Sequence, residues 1–507
     1  YDVTPITVDN TGATLTSDDP HYWTNHDNIT ATAWWPYTAG ETTPPAVKVA
    51  ADQSARKDFE GSDLIVAEEQ TVSYGNPTLR FTHRTARVTV VLTDYTEEQM
   101  FVWLTGLSTE NGNPAVIAPY YDKGGDTYIT LVAPQTVAAG TAFITCKFTN
   151  GKVFVYKMQN DAEWKAGEEY TYTVSLAAAE DPGYTVSEDG RTYEVYNAEG
   201  LKNLAKLVNE EGKTDIDITL TGDITLTGEW TPIGTESQPY TGTFDGGGKY
   251  TITGLKIDKS GTDDVGLIGR LGSGGKVQNV TLTNISVSGA NCVGGIAGQN
   301  YGTVENCSVN GTVTGRGFND TGGIVGTNYG TISGCSAEGT VTGSVNVGGI
   351  AGGSYLGVTI VGCYSSAAVE GYSTVGGVVG NLGNNSSLMA SYSTGNVTVT
   401  STTGYAGGVV GVNAQGTVTA CYHATGTVSG QGNVGGIVGM NNSGQNTACY
   451  WSSNPANGIG KMDSGTNGTI KVDGDWQNAV TQMNAALQNA GSEWRYELTG
   501  ELPTLKK

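Results

Sequence analysis

Val293-Gly294-Gly295-Ile296-Ala297-Gly298 returns as Thr321-Gly322-Gly323-Ile324-Val325-Gly326, then at 347–352, 375–380, 406–411 and 434–439, with 265–269 as a shorter first copy. Each copy is followed by a turn such as Asn300-Tyr301-Gly302 or Asn328-Tyr329-Gly330, then by a strand reaching Cys307 or Cys335, then by Gly-Thr-Val-Thr-Gly at 311–315 and 339–343. A unit that returns every roughly 28 residues cannot bury its apolar side alone and must stack on its neighbours. The pattern predicts three short strands per period, each bounded by Gly or Asn, and so one coil of a β-solenoid per period. With coils about 4.8 Å apart, roughly seven to nine of them make an array roughly 35 to 45 Å long.

In-register stacking turns periodic residues into ladders. Cys307, Cys335, Cys363, Cys421 and Cys449 share one position of the coil, and Ser391 fills it in the coil that lacks a cysteine. A small apolar row pointing inward suits a core, whereas a row of disulfides needs a cross-link geometry that in-register coils do not favour. The thiols are therefore expected to be unpaired, and the isolated Cys146, in an apolar strand-like stretch, to be a buried inert thiol. Tyr364, Tyr392, Tyr422 and Tyr450 directly follow the ladder position, and beside an inward residue a strand residue points outward. An outward tyrosine row either stacks on sugars or a partner protein, or simply stiffens the solenoid face. Tyr301 and Tyr329 recur in corresponding turns, with Tyr355 extending the series.

The array is one part of 507 residues, more than one hydrophobic core usually organises. Ahead of it, Asn197 is expected to N-cap a short helix with Leu201, Leu204, Ala205, Leu207 and Val208 on one face, a cap for the solenoid's N-terminal end within a lead-in segment, residues 185–264. The repeats occupy 265–460. A second amphipathic helix over 475–490, carrying Trp476, Ala479, Val480, Met483 and Leu487, and a last strand around Trp494-Arg495-Tyr496-Glu497-Leu498 form a C-terminal cap, residues 461–507.

Residues 1–176 read as alternating strands with polar loops: a β-branched run ending at Val88-Thr89-Val90-Val91-Leu92, a hairpin over Asn150-Gly151, and the period-two segment Glu169-Tyr170-Thr171-Tyr172-Thr173-Val174-Ser175-Leu176. Residues 177–184, with Pro182-Gly183, form a linker. The chain opens on the strand-like Tyr1-Asp2-Val3-Thr4-Pro5-Ile6-Thr7-Val8 without an initiator methionine or signal peptide, so a removed upstream segment is expected. The whole is read as mainly β, a β-sandwich-like domain followed by a β-solenoid with short capping helices.

Two resemblances follow from these residues. Residues 185–460 resemble the GLUG-repeat region of bacterial surface proteins, including some of IgA-protease type, on Trp230-Thr231-Pro232-Ile233-Gly234, Phe244-Asp245-Gly246-Gly247-Gly248, Ile252-Thr253-Gly254-Leu255 and the Gly-Gly-Ile-Val-Gly copies. Residues 1–176 resemble the later part of a fimbrillin-like domain of Bacteroides-type bacteria, on Ala33-Trp34-Trp35-Pro36-Tyr37, Asp52-Gln53-Ser54, 62–67, Phe81-Thr82-His83-Arg84-Thr85-Ala86-Arg87 and 164–170. That family carries an N-terminal lipoprotein signal and a first strand group that this sequence lacks. The resemblance implies an adhesin or fimbria-associated protein on the extracellular face of the outer membrane or on fimbriae. Its partners would be a host or bacterial surface glycan or protein, or other fimbrial subunits, with membrane attachment only through a lipid anchor upstream of Tyr1.

A formal net charge of −23 opposes long-range attraction to nucleic acid or anionic lipid. The competing function is a β-helical carbohydrate-active enzyme, a polysaccharide lyase or hydrolase, which needs converging carboxylates or a carboxylate cluster holding calcium. From 265 to 460 the acidic residues are Glu305, Asp320, Glu338 and Glu370, and Glu305 and Glu338 fall near each other in the repeat frame but at different positions. His21, His26, His83 and His423 form no His-Glu-x-x-His pattern, and His83 is expected to be a packed or hydrogen-bonded structural residue. The glycine-rich copies lead into turns and strands, whereas a phosphate loop leads into a helix. Asp245 reads as an Asx-turn residue, with calcium ligation as the alternative. No catalytic residue, metal site or cofactor is therefore assigned. The candidate ligand-contacting residues are Tyr364, Tyr392, Tyr422 and Tyr450 on the solenoid, and Trp34 and Trp35 in the N-terminal domain.

Overall fold

The computed structural model describes residues 4–9, 12–16, 24–36, 40–95, 100–148, 153–178, 181–187, 190–383 and 385–507. Two compact units result, Tyr1–Pro182 with Ser187–Gly190, and Gly183–Val186 with Arg191–Lys507. The first contains the short helix α1 (Arg56–Gly61), the second α2 (Ala198–Asn209) and α3 (Gln477–Asn489).

In the first unit, Ala142–Phe148 lies antiparallel between Met100–Leu104 and Val153–Lys157. A second sheet sets Ala86–Thr93 between Glu169–Ser175, in parallel, and Thr127–Val132. Alternation sends Val88, Val90, Val102, Leu104, Ile144, Cys146 and Val174 into one core between the sheets, together with Trp164. This is the expected β-sandwich-like domain. The turn of the hairpin expected over Asn150-Gly151, the first residues Tyr1-Asp2-Val3, and His21 lie outside the described residues.

The second unit is a parallel β-solenoid of about nine turns. From Val293 on, its coils carry four or five strands where the sequence suggested three. In one coil these are Val293–Gly294, Ala297–Asn300, Thr303–Glu305 and Ser308–Gly315, and each pairs in register with its counterpart one coil on. The difference lies inside the Val-Gly-Gly-Ile-Ala-Gly copy, which is a corner joining two strands. A methyl group at its first glycine, Gly348 for instance, would collide with the Ala351 carbonyl oxygen across that corner.

Within the coils, Ile296, Ile324, Ile350, Val378, Val409 and Ile437 stack fully buried, as do Val304, Ile332, Ile360, Leu388 and Val418. Burial of such rows at roughly 25 cal/mol per Å² is what joins coil to coil. The seven cysteines are buried and unpaired. The ladder is linked by its backbone: the Cys335 N–H donates to Cys363 Sγ (3.4 Å), and the Cys363 N–H to Ser391 Oγ (3.2 Å), so serine continues the row with the same bond.

Helix α2 begins at Asn197, whose Oδ1 accepts from the Gly200 N–H at 2.8 Å. Its Leu201, Leu204, Ala205 and Val208 are buried in the first coils' core. Helix α3 carries the expected apolar face but lies elsewhere than at the solenoid's end. Trp476, Val480, Met483 and Leu487 cluster with Ala390, Ala420, Tyr422 and Tyr450, so the C-terminal segment covers the outside of the coils.

Candidate functional site

The tyrosines beside the cysteine ladder stack as the repeat frame predicts. Tyr364 and Tyr392 lie 5.1 Å apart at 8°, and Tyr392 and Tyr422 4.6 Å apart at 6°. Their expected exposure is corrected by the structure. Tyr364 is 41% exposed, but Tyr422 and Tyr450 are only 1% and 3% exposed. The cause is the C-terminal cover: Tyr422 packs against Trp476 and Tyr496, and its hydroxyl donates to the Pro503 carbonyl. The Tyr422 hydroxyl loses its water there, and burial raises its pKa. A ligand reaching this row from solvent meets Tyr364 and the partly buried Tyr392.

Trp34 and Trp35 stand on the strand Ile29–Trp35, opposite Val66 and Ile65 of the neighbouring strand. Successive residues of a strand face opposite sides, so the two indoles do not form one platform. Trp35 is 52% exposed, while the Trp34 Nε1 is buried with no partner among the described residues.

A second tyrosine stack flanks the solenoid corner. Tyr301 and Tyr329 lie 4.9 Å apart at 20°, and Tyr329 and Tyr355 5.9 Å apart at 38°. The turns beneath are fixed by an asparagine row: Asn300 Nδ2 donates to Asn328 Oδ1 (2.7 Å), and the two Oδ1 atoms accept from the Gly302 and Gly330 N–H groups. Tyr355 is anchored by its hydroxyl, which donates to Asp320 Oδ1 (3.2 Å). Asp320 also accepts from Asn346 (2.7 Å) and Thr327 (2.8 Å). Burial pushes the Asp320 carboxyl above its ordinary value, and these donors offset only part of the rise.

Beside Tyr301 and Tyr329 runs a groove of about 480 Å³ across successive turns, bordered by Gly275, Lys276, Thr303, Thr331 and Thr359. Lys276, Thr303 and Thr331 pair in register as outward positions of one sheet. Lys276 Nζ meets Glu305 Oε1 at 2.6 Å. In the sequence, Thr303 and Thr331 follow the Asn-Tyr-Gly turns at 300–302 and 328–330, while Lys276 and Thr359 follow other turns; that these turns open a groove depends on how successive coils align.

The residues a glycosidase would need are dispersed. Glu305 stands in Thr303–Glu305 and Glu338 in Ser336–Gly343, strands of different sheets, and Glu305 is tied to Lys276. Asp245 makes the expected Asx turn, its Oδ1 accepting from the Gly247 N–H at 2.8 Å. His83 holds its Nδ1 2.9 Å from the Asp63 carboxylate.

The family described as fimbrillin-like matches residues 1–188, and the GLUG motif matches 289–314 and 319–342. The chain joins a fimbrillin-like domain to GLUG repeats. Halomucin of Haloquadratum walsbyi is 30% identical to it over 239 residues, 42% of this chain and 3% of that protein, so the chain spans a small fraction of that relative's length. A crystal structure described as a candidate immunoglobulin A1 protease from Bacteroides ovatus aligns at 21% identity over 64% of this chain and 95% of its own, with a TM-score of 0.43. A fimbrial protein from Bacteroides ovatus aligns at 16% identity over 36% of this chain and 46% of its own, with a TM-score of 0.23. Around the GLUG motifs the phase continues in structure through Val438–Asn442 and Ile459–Met462, beyond the two matched stretches.

Proposed function

We propose that this chain is a non-enzymatic binding protein of the bacterial cell surface, acting in adhesion or as part of a fimbria. The fimbrillin-like match over residues 1–188 supports a fimbria-associated or adhesive role at the cell surface. The observation that carries the non-enzymatic part is the chemistry of the outward rows. They offer threonine and serine hydroxyls, amides and tyrosine rings, while Glu305 is neutralised by Lys276 and Glu338 stands in another sheet. Such a face supplies contact area and hydrogen bonds without an acid and base aimed at one bond. Among the described residues no helix is long and apolar enough to cross a membrane. The partners proposed are a host or bacterial surface glycan or protein, or other fimbrial subunits.

The test pairs glycan and protein arrays with a turnover assay on the same polysaccharides. Saturable binding without product is the expected result. Cleavage that disappears in Glu305→Gln or Glu338→Gln would overturn the non-enzymatic reading.

A further inference from the structure

We propose that the groove beside Tyr301 and Tyr329 binds an extended neutral polysaccharide lying along the solenoid axis, with a pyranose face on the Tyr301 ring. This inference deepens the adhesive reading and rests on it. Tyr301 ends its stack: one coil earlier its place falls to Gly272, because Leu271 pairs with Asn300. One face of the ring is therefore left without an aromatic neighbour, and the residue is 40% exposed. Its hydroxyl donates to Gln299 Oε1 at 3.0 Å, which fixes the ring before any ligand arrives.

Along the groove, Lys276, Thr303, Thr331 and Thr359 recur one per coil. In-register coils stand about 4.8 Å apart, a rise of the same order as one pyranose in an extended chain, so successive sugars meet equivalent hydroxyls. The floor is bare backbone. Gly275, Gly302 and Gly330 line it. A methyl group at Gly330 would collide with the Gly302 carbonyl oxygen, and one at Gly302 with that of Gly275, so the stacking of the coils itself requires glycine along this edge. The groove's volume of about 480 Å³ is enough for a short run of sugars. Electrostatics select a neutral chain. Lys276 is already paired with Glu305, and a net charge of −23 repels polyanions. Ring stacking and fixed hydroxyls recognise sugars without titratable groups.

The experiment is affinity electrophoresis of the full chain through gels containing a mixed-linkage β-glucan, a galactomannan or polygalacturonate. Retardation by at least one neutral polymer is expected, weakened about tenfold in Tyr301→Ala and in Thr331→Val and unchanged in Tyr372→Ala, whose exposed ring lies outside the groove. Thr331 is exposed, so its variant tests the site even where Tyr301→Ala fails to fold, and thermal melts identify that case. Parent-like retardation of both variants overturns the site, as does a loss confined to Tyr364→Ala or Trp35→Ala. Retardation by polygalacturonate alone overturns the neutral class. If no polysaccharide retards the chain while beads coated with it still adhere to bacterial or epithelial cells, the groove proposal fails and the adhesive reading stands. If the beads also fail to adhere, both fall.

Discussion

His423 occupies an interior row that runs Val309, Ala337, Ser365, Ser393, His423 and Trp451 through successive coils. Across the lumen the second glycine of each repeat copy leaves room for it. A methyl group at Gly408 would run into the His423 ring, and one at Gly436 into the Trp451 ring. We expect Gly408→Ala to destabilise the solenoid by roughly 1–3 kcal/mol through overpacking, read by urea unfolding. The His423 Nε2–H donates to the Gly426 carbonyl (3.0 Å), and Nδ1 lies 2.8 Å from Ser393 Oγ. Burial holds its pKa down at about 4. The unfolded chain binds the proton near its ordinary value of about 6.5, so folding favours neutral imidazole. Stability from this group is full above that value and is lost as pH falls towards about 4, by on the order of 3 kcal/mol. Unfolding midpoints compared across that window should fall for the parent and fall less for His423→Gln. The thiols give a second check. Burial pushes Cys449 up to about 11 and Cys146 up to about 12. All seven should resist Ellman's reagent in the native protein and react after denaturation without reductant; two or three persistent disulfides would contradict the ladder.

Among the elements, α2 and α3 differ in how far sequence revealed their role. The cap and stripe of α2 were both legible, because they are local: Asn197 precedes Leu201 and Leu204, and the next segment is the array that must bury them. Asn197→Ala should cost about 1 kcal/mol in unfolding free energy, as loss of an N-cap does. The stripe of α3 was equally legible, but its docking surface was not. Burial of Tyr422 depends on a carbonyl 81 residues downstream, and periodicity within a helix says nothing of which coil it lies against. The same gap explains the coil's extra strand, since period counting does not show that Gly294-Gly295 turns a corner. Truncation before Trp476 should leave the far-ultraviolet β spectrum in place while raising binding of the dye ANS, as Tyr422, Tyr450 and Ala420 lose their cover. Unchanged dye binding would mean the cover is not seated as described.

At the scale of the whole molecule, the repeat phase carried the most information. Cys335 and Cys363 are 28 residues apart, one coil. Deleting 336–363 should therefore keep every remaining ladder in register and yield a folded, slightly less stable protein, whereas deleting half that length would put polar residues into the core and prevent folding. Circular dichroism and melting of the two variants decide it. The lateral position of the C-terminal segment also bears on mechanical load, which any protein that holds surfaces together must carry. A stack of coils pulled by its last residue can unravel one coil at a time. Here the Tyr496 hydroxyl donates to the carbonyls of Ser391 and Ala420, two neighbouring coils, and the segment beyond it clasps Tyr422. Tension applied at Lys507 must first peel this splint sideways off the coils before the final coil feels any pull.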